Sequence, residues 1–264
     1  MSLLFLRQKA VEDKCTFFLT THSSVVIDLF SRDEAAQLLH VTHDGAIANV
    51  TTVSTYLHGR SVIRDLGLKA SDLLQSNAIV WVEGPSDRIY FNRWIELWTD
   101  GKLQENVHYQ CVPYGGSLIA HWSFNDPEAL DDMIKALQVN GHAIVLIDSD
   151  RTKADDALKE NAKRVAEEVA QIEGLAWITS GKEVENYLPV EALREFCGDD
   201  KLRGPDQFSD VFAYLENKGK GKPDKVPLAR RLCPLMTRAM IENTSDLKDR
   251  LTEVCAMIQA WNES

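Results

Sequence analysis

Carboxylates recur in this chain where apolar runs stop. Ile79-Val80-Trp81-Val82 ends at Glu83, and Asp87 follows four residues later, after a Gly-Pro-Ser turn. His142 to Ile147 ends at Asp148-Ser149-Asp150, and Leu175 to Thr179 leads into SGKEVENYL, with Glu183 and Glu185. Like charges at close range repel by several kcal/mol at a moderate effective dielectric, so such a group stays ionised only around positive charge. Hard oxygen ligands select Mg²⁺, Mn²⁺ or Ca²⁺, and no histidine or cysteine joins the set, which disfavours zinc. Two such ions can clamp an in-line phosphoryl displacement, one activating water and one steadying the leaving oxygen. A lone E-x-x-x-D is ordinarily a helix start, because acids in the first turn suit the helix dipole. A lone D-x-D is ordinarily a solvated loop. Recurrence at successive strand ends points further, to metal-dependent phosphate chemistry. In an extended backbone Asp148 and Asp150 point to one side and Ser149 to the other.

The elements that must position these acids follow from the apolar pattern. From residue 78 onward, strand-like and helical runs alternate. Strands are expected at Ala78 to Val82, Val107 to Val112, His142 to Ile147 and Leu175 to Thr179. Between them lie a helix with Phe91, Trp94, Ile95 and Trp98 on one face and a helix near Pro127 to Val139. A third carries Leu158, Ala162, Val165, Val169 and Ile172. Short apolar strands in repeated β-α units imply a parallel sheet covered on both faces. Ligands of such sheets bind at the carboxyl ends of the strands, where these acids fall. The last stretch reads as helical, with stripes at Phe208, Val211, Phe212, Leu215 and at Leu247, Leu251, Val254, Ile258, Trp261. Between the stripes lies a flexible basic loop, NKGKGKPDK. Before residue 78, residues 3 to 14 read as a helix end, Cys15 to Leu19 as a strand, and Val25 to Phe30 as an apolar stretch. Leu38 to Thr42 and Ile47 to Val53 flank His43-Asp44-Gly45 as a hairpin. Residues 56 to 76 read as helical, polar linking sequence.

The totals exclude several classes. No apolar run is long enough to span a bilayer, and MSLLFLRQK lacks the charge order and cleavage site of a secretion signal. The five cysteines are odd in number and widely spaced, without a C-x-x-C pair, so neither a disulfide framework nor a zinc site is expected. A reduced, cytoplasmic setting fits. The net charge of −11, from 40 acidic and 29 basic side chains, argues against a general nucleic-acid coat. It leaves room for a nucleic-acid enzyme whose acids are neutralised by bound cations.

Glu83 after an apolar strand, Asp87 four residues on, and Asp148-x-Asp150 after another strand resemble the Toprim domain. That domain occurs in type IA topoisomerases, primases, RecR-like proteins and OLD (overcoming lysogenization defect) nucleases. The version VEGPSDRIYF, IDSDR and SGKEVENYL is most similar to the OLD family, with the E-x-E-N element at Glu183 to Asn186 the most discriminating part. The resemblance covers about residues 78 to 190. A second element, FFLTTHSSVVIDLF at residues 17 to 30, resembles the switch-histidine segment of ABC-type ATPases, with His22 as the residue that would sense the γ-phosphate. Such ATPases precede the nuclease in OLD proteins. No G-x-x-x-x-G-K-[ST] phosphate loop is present. The chain is therefore expected to be α/β: a C-terminal part of an ABC-type ATPase domain at 1–76, a Toprim (Rossmann-like) parallel sheet flanked by helices at 77–195, and a helical accessory region at 196–264.

The resemblance implies a metal-dependent DNA endonuclease acting with two ions of Mg²⁺ or Mn²⁺, with Ca²⁺ a third choice. Expected metal ligands are Glu83, Asp87, Asp148, Asp150, Glu183 and Glu185, with Glu83 and Asp148 best placed to sit near both ions. A lysine assisting catalysis by stabilising charge on the phosphate is also implied, and Lys225 is the candidate. Ser180 and Lys182 either touch the scissile phosphate or belong to a polar loop. Lys218, Lys220 and Lys222 contact the DNA backbone or face water. Arg88 and Arg151 either neutralise the acids or form surface ion pairs. Tyr114-Gly115-Gly116 either admits a phosphate or makes a turn, and Trp94 and Trp98 either fill the core or stack on bases. Expected partners are DNA, an upstream ATPase domain through which the full-length protein dimerises, and, for some members, a UvrD-like helicase. The competing reading is a non-catalytic DNA-binding module of recombination-mediator type, although RecR-like proteins carry a four-cysteine zinc motif that these cysteines cannot make. The purified chain is expected to lack ATP hydrolysis. Turnover of ATP that disappears in His22→Ala would overturn that expectation.

Overall fold

The computed structural model describes residues 9, 12, 14–21, 30, 36–37, 39–43, 47–52, 76–114, 142–221 and 223–263. His22, Lys222, the Asp44-Gly45 turn, Gly115-Gly116, most of the linking sequence and the helix expected near Pro127 to Val139 lie outside them. The chain forms two compact units, Met1–Gln75 and Ser76–Ser264. In the first, β1 (Leu39–His43) and β2 (Ala48–Thr52) form the expected antiparallel hairpin, with Val41 opposite Val50. Lys9 and Glu12 are helical. Cys15 to Leu19, expected as a strand, has no regular structure, and Phe17, Phe18 and Leu19 are exposed. An apolar run without a ladder partner among the described residues has nothing to hold it extended.

The second unit is built on four parallel strands: β3 (Ile79–Val82), β4 (Gln110–Pro113), β5 (Ala143–Ile147) and β6 (Leu175–Ile178), in the order β4-β3-β5-β6. Each matches an expected strand to within a few residues. Every side chain of β3 and β5 is buried, the mark of parallel strands covered on both faces. One face, with Val80, Val82, Ile144, Leu146 and Trp177, belongs to the main core. Against it lies α1 (Pro85–Thr99), which starts at a proline and buries Tyr90, Phe91, Trp94 and Ile95. Trp94 is thus a core residue, and Trp98 is partly buried beneath the guanidinium of Arg238, 4.8 Å from the ring centre. The other face carries Ile79, Trp81, Val145 and Ile147, all buried. The amphipathic α2 (Glu160–Gln171) packs on β5 and β6 and buries Ala162, Val165 and Val169.

The C-terminal helices share that same core. They are α3 (Val190–Cys197), α4 (Val211–Leu215), α5 (Lys225–Leu232), α6 (Arg238–Glu242) and α7 (Leu247–Glu263). Leu193, Val211, Leu215, Leu228, Leu232, Leu251, Val254 and Ile258 join one cluster with the sheet residues. The stretch after residue 196 therefore does not build a core of its own. Within the basic stretch Glu216–Lys220 form a π-helical turn, and Lys225 opens α5, which packs against α1. No helix among the described residues is long and apolar enough to cross a membrane.

The strand order places a switch point between β3 and β5, since the chain runs from β3 outward to β4 and then resumes on the other side of β3. At such points the carboxyl ends of neighbouring strands open a crevice. The loops after β5 and β6 are pinned to one another. Ser149 Oγ donates to the Gly181 carbonyl at 2.6 Å, and Ser149 N–H donates to Thr179 Oγ1 at 2.9 Å. Asp150 N–H donates to the Lys182 carbonyl at 2.9 Å, and Lys182 N–H to the Gln207 carbonyl at 3.2 Å. Gly181 sits where these cross. A Cβ at that position would lie 2.6 Å from Gln207 O and 2.7 Å from Asn186 Cβ. Gly181→Ala is expected to displace the loop and cost about 1–3 kcal/mol. Thermal or urea unfolding of the variant checks this, and an unchanged midpoint would refute it.

Candidate functional site

Glu83 follows β3 directly, and Asp87 occupies the first turn of α1. The Asp87 carboxylate is buried. It accepts from Gly84 N–H at 2.9 Å and from Ser86 Oγ at 3.1 Å, so it closes the start of α1 as well as facing the crevice. Asp148 follows β5, and its Oδ1 accepts from Val184 N–H at 2.9 Å. That bond fastens the end of β5 to the 3₁₀ turn Val184–Tyr187, which presents Glu185. Within the E-x-E-N element Asn186 is a clamp. Its Oδ1 accepts from Glu183 N–H at 2.9 Å, and its Nδ2 donates to the Ser209 carbonyl at 3.0 Å.

Asp150 departs from the expected arrangement. The strand stops at Ile147, and Asp150 has a left-handed φ of 53°. Alternation along an extended backbone therefore does not relate it to Asp148. Its Oδ2 accepts from Lys159 Nζ at 2.6 Å, and the side chain is half exposed. Ser149, expected to point away, is the buried anchor of the loop.

Lys225 supplies the positive charge. Its Nζ lies 3.7 Å from Glu183 Oε2 and 3.9 Å from Glu185 Oε2, and 5.7 Å from the centre of the Phe212 ring. A lysine in the first turn of a helix opposes the helix dipole, and here the two glutamates offset that. The acids also act on one another. Burial, then the charges of Asp87, Glu83 and Glu185, push Asp148 well above the usual carboxylate range, against Lys225. Glu83 stands at the rim, and its carboxyl is raised by loss of water on its inner side, then by Asp87 and Asp150. Burial raises Asp87 in spite of the Gly84 N–H bond and Lys225. Burial raises Glu183 against Lys225 and Lys182. Glu185 is 1% exposed, and burial carries it to about 8 despite Lys225. For Lys225, burial works to lower the pKa, but Glu185, Glu183, Glu83 and Asp148 prevail and raise it.

Among the described residues, no three Asp, Glu, His or Cys side chains stand close enough together to hold a metal ion as they lie. The acids form an electrostatic group around Lys225, not a closed cage. Three of their oxygens nevertheless fit a hard cation. Glu183 Oε1 and both oxygens of Glu185 are buried without a hydrogen bond. A buried carboxylate oxygen left in that condition is costly, and an oxygen-seeking divalent ion would satisfy it.

The other expected site residues have varied surroundings. Ser180 Oγ is hydrogen-bonded to Ser245 Oγ at 2.7 Å, so this hydroxyl is a structural link. Lys182 lies beside Glu183 and contributes its charge there. Lys218 Nζ sits 5.6 Å from the centre of the Tyr214 ring, and Lys218 and Lys220 lie near Cys197. Arg88 is committed to Glu105 at 2.8 Å. Arg151 Nε is buried without a hydrogen bond. Tyr114 donates from its hydroxyl to the Leu146 carbonyl at 2.7 Å, bracing β5 below Asp148. Sequence reading did not single out Thr179, Gly181, Gln207 or Lys159. Nor did it single out Tyr187, whose hydroxyl accepts from Ser180 N–H at 3.0 Å and donates to Asp246 at 2.8 Å. Their bonds join different loops and turns, so no periodic pattern marks them.

No protein-family model matches the chain, and no curated protein matches it. The geometry of the acids and Lys225 is thus what a functional reading has to rest on.

A carboxyl that holds its proton more tightly folded than unfolded makes the folded state bind more protons between its two pKa values. Stability then falls as pH rises through that window. For Glu185 the window runs from the ordinary 4.5 to about 8, and Asp148, Glu83, Asp87 and Glu183 act in the same direction. In chelator, the melting temperature is expected to fall between pH 5.5 and 8.5. Glu185→Gln is expected to shrink that fall and to raise stability at pH 8.5 by roughly 1–2 kcal/mol, a few degrees. A wild-type melting temperature that rises with pH would contradict this.

Proposed function

We propose that the second unit is a divalent-metal-dependent phosphodiesterase acting on DNA, a Toprim-type nuclease of the OLD kind, with residues 1–76 the end of an ABC-type ATPase domain. One observation carries the reading: acids from the ends of β3, β5 and β6 act on one another at the sheet's switch point, and both Glu185 oxygens there are buried without a hydrogen bond. A purely structural cluster would have little reason to keep such a group.

Glu83, Asp148, Glu183 and Glu185 are the residues that would hold Mg²⁺ or Mn²⁺. Such an ion supplies Lewis acidity toward a phosphodiester and lowers the pKa of a water molecule. Asp87 supports the group from beneath, since two donors already occupy its carboxylate. Asp150 balances the rim with Lys159. Lys225 neutralises the acids and is the cation nearest to a phosphate that would enter beside Glu183 and Glu185. Lys182, Lys218, Lys220 and Lys222 would serve the DNA backbone. The cytoplasm, a helicase partner and dimerisation through an ATPase domain belong to the same proposal.

A second reading, a DNA-binding module without catalysis, is favoured by one fact: Lys225 lies between the two glutamates, and among the described residues no three acids converge on an ion as they stand. Plasmid nicking separates the two. The nuclease reading expects nicked or linear product with Mg²⁺ or Mn²⁺ and none with EDTA. Asp148→Asn, which keeps the acceptor for Val184 N–H, is expected to reduce cleavage at least 100-fold, on the order of losing one strong transition-state interaction, with its melting temperature preserved. DNA retention without any metal-dependent cleavage would establish the binding module instead.

A further inference from the structure

In a chain of net charge −11, the stretch from Arg194 to Arg231 carries nine Lys and Arg against seven Asp and Glu, so its sign is opposite to that of the whole. It folds as α3, the loop after it, α4 with its π-helical turn, and α5. These segments are tied into one lobe. α5 packs on α3, Arg194 Nε donates to the Leu202 carbonyl at 2.9 Å, and the Tyr214 hydroxyl donates to the Arg203 carbonyl at 2.7 Å. Two cations of the lobe are held by rings. Arg231 lies over Phe196, with its guanidinium carbon 4.5 Å from the ring centre, and Lys218 Nζ lies 5.6 Å from the centre of Tyr214. Lys218, Lys220, Arg203, Arg230 and Arg231 are exposed, and no carboxylate among the described residues stands at ion-pair distance from any of them. Arg238 over Trp98 and Lys225 over Phe212 are ring-held too, but Arg238 pairs with Asp100 and Glu242, and Lys225 with Glu183 and Glu185. A carboxylate neutralises a cation and occupies its donors, whereas a ring attracts it and leaves its charge uncompensated.

We propose that this lobe is a docking surface for the phosphate backbone of duplex DNA, with Arg231 and Lys218 as its fixed cations and Arg203, Lys220 and Arg230 beside them. The proposal rests on the DNA part of the reading above and is independent of any metal. A side chain already held against a ring loses less freedom when a phosphate arrives. Phe196 and Tyr214 are half-buried and each already carries a cation, so neither is a ready platform for an unpaired base, the contact by which proteins hold single strands. A duplex presents a dense row of phosphates, and cations of this kind position it without reading its bases. The acidic remainder of the chain repels the same polymer, which favours this lobe as the place of contact.

The test is binding of a short fluorescent duplex, read by anisotropy in EDTA from about 50 to 200 mM salt. It compares the full chain with Lys218→Gln, Arg231→Gln and the double variant, and with Arg238→Gln as a ring-held cation that carboxylates already neutralise. Lys218→Gln and Arg231→Gln are each expected to weaken binding alike for unrelated duplex sequences. Each is expected to flatten the slope of log affinity against log salt by roughly one, and the double variant by roughly two. Arg238→Gln is expected to leave affinity and slope unchanged, and a single strand of the same length to bind more weakly than the duplex. An unchanged slope in the double variant, an equal effect of Arg238→Gln, or a preference for the single strand would overturn the proposal and leave DNA binding itself intact. Absence of duplex binding by the unaltered chain would remove the proposal together with the DNA reading.

Discussion

The structure turns on the cost of burying negative charge at the end of a parallel sheet. Two unit charges about 4 Å apart interact by roughly 4 kcal/mol at an effective dielectric near 20. Burial raises the pKa of Glu83, Asp87, Asp148, Glu183 and Glu185 alike, and it is the first cause each time. Among the described residues, Lys225 alone stands against Glu183 and Glu185 at ion-pair distance. Removing either sign of charge would leave the other without the partner that tolerates it. The position of α5 on α1, and with it much of the C-terminal helical packing, serves to bring that ammonium to the sheet.

The remaining scaffold makes the costly arrangement rigid. Parallel strands leave their carboxyl ends as loops, and loops alone do not hold side chains in register. Here the loop after β5 is tied to the loop after β6, and that loop to the segments that follow. Ser149 reaches Gly181 and Thr179, Asp148 reaches Val184, and Asn186 reaches Ser209. Tyr187 extends the ties to Asp246 at the start of α7. The last helices therefore belong to the site mechanically. This also explains why the helical stretch after residue 196 shares the core of the sheet.

Much of this was legible in the sequence because it depends on local pattern. Continuous apolar runs gave the parallel strands to within a few residues, and the acids at their ends followed. Lys225, chosen by family resemblance, stands among those acids. What local pattern could not reach were the turns. Asp148 and Asp150 looked like one face of a strand, but β5 had already ended and Asp150 had swung into left-handed backbone toward Lys159. Ser180 looked available, but Ser245, far along the chain, takes its hydroxyl. Cys15 to Leu19 had strand composition, but no ladder among the described residues pairs with it. In none of these cases does the residue type or its immediate spacing announce the outcome.

Local conflict is the most informative remaining signal. Lysine at the first position of α5 runs against the helix dipole, and Glu185 is buried with neither oxygen hydrogen-bonded. Alone, the lysine would be a small defect and the buried glutamate a costly one. Together they compensate one another at 3.9 Å, and a chain selected for stability alone could have replaced both with apolar residues of similar size. Sites that break local rules in matched pairs are where function is expected to reside. An approaching phosphodiester would bring negative charge, and Lys225 is the group with the charge and the partial exposure to meet it. A divalent cation would take over the oxygens that Lys225 now serves. The same ammonium can therefore steady the acids before substrate arrives and face the phosphate afterwards, which is why its place between Glu183 and Glu185 is compatible with the catalytic reading.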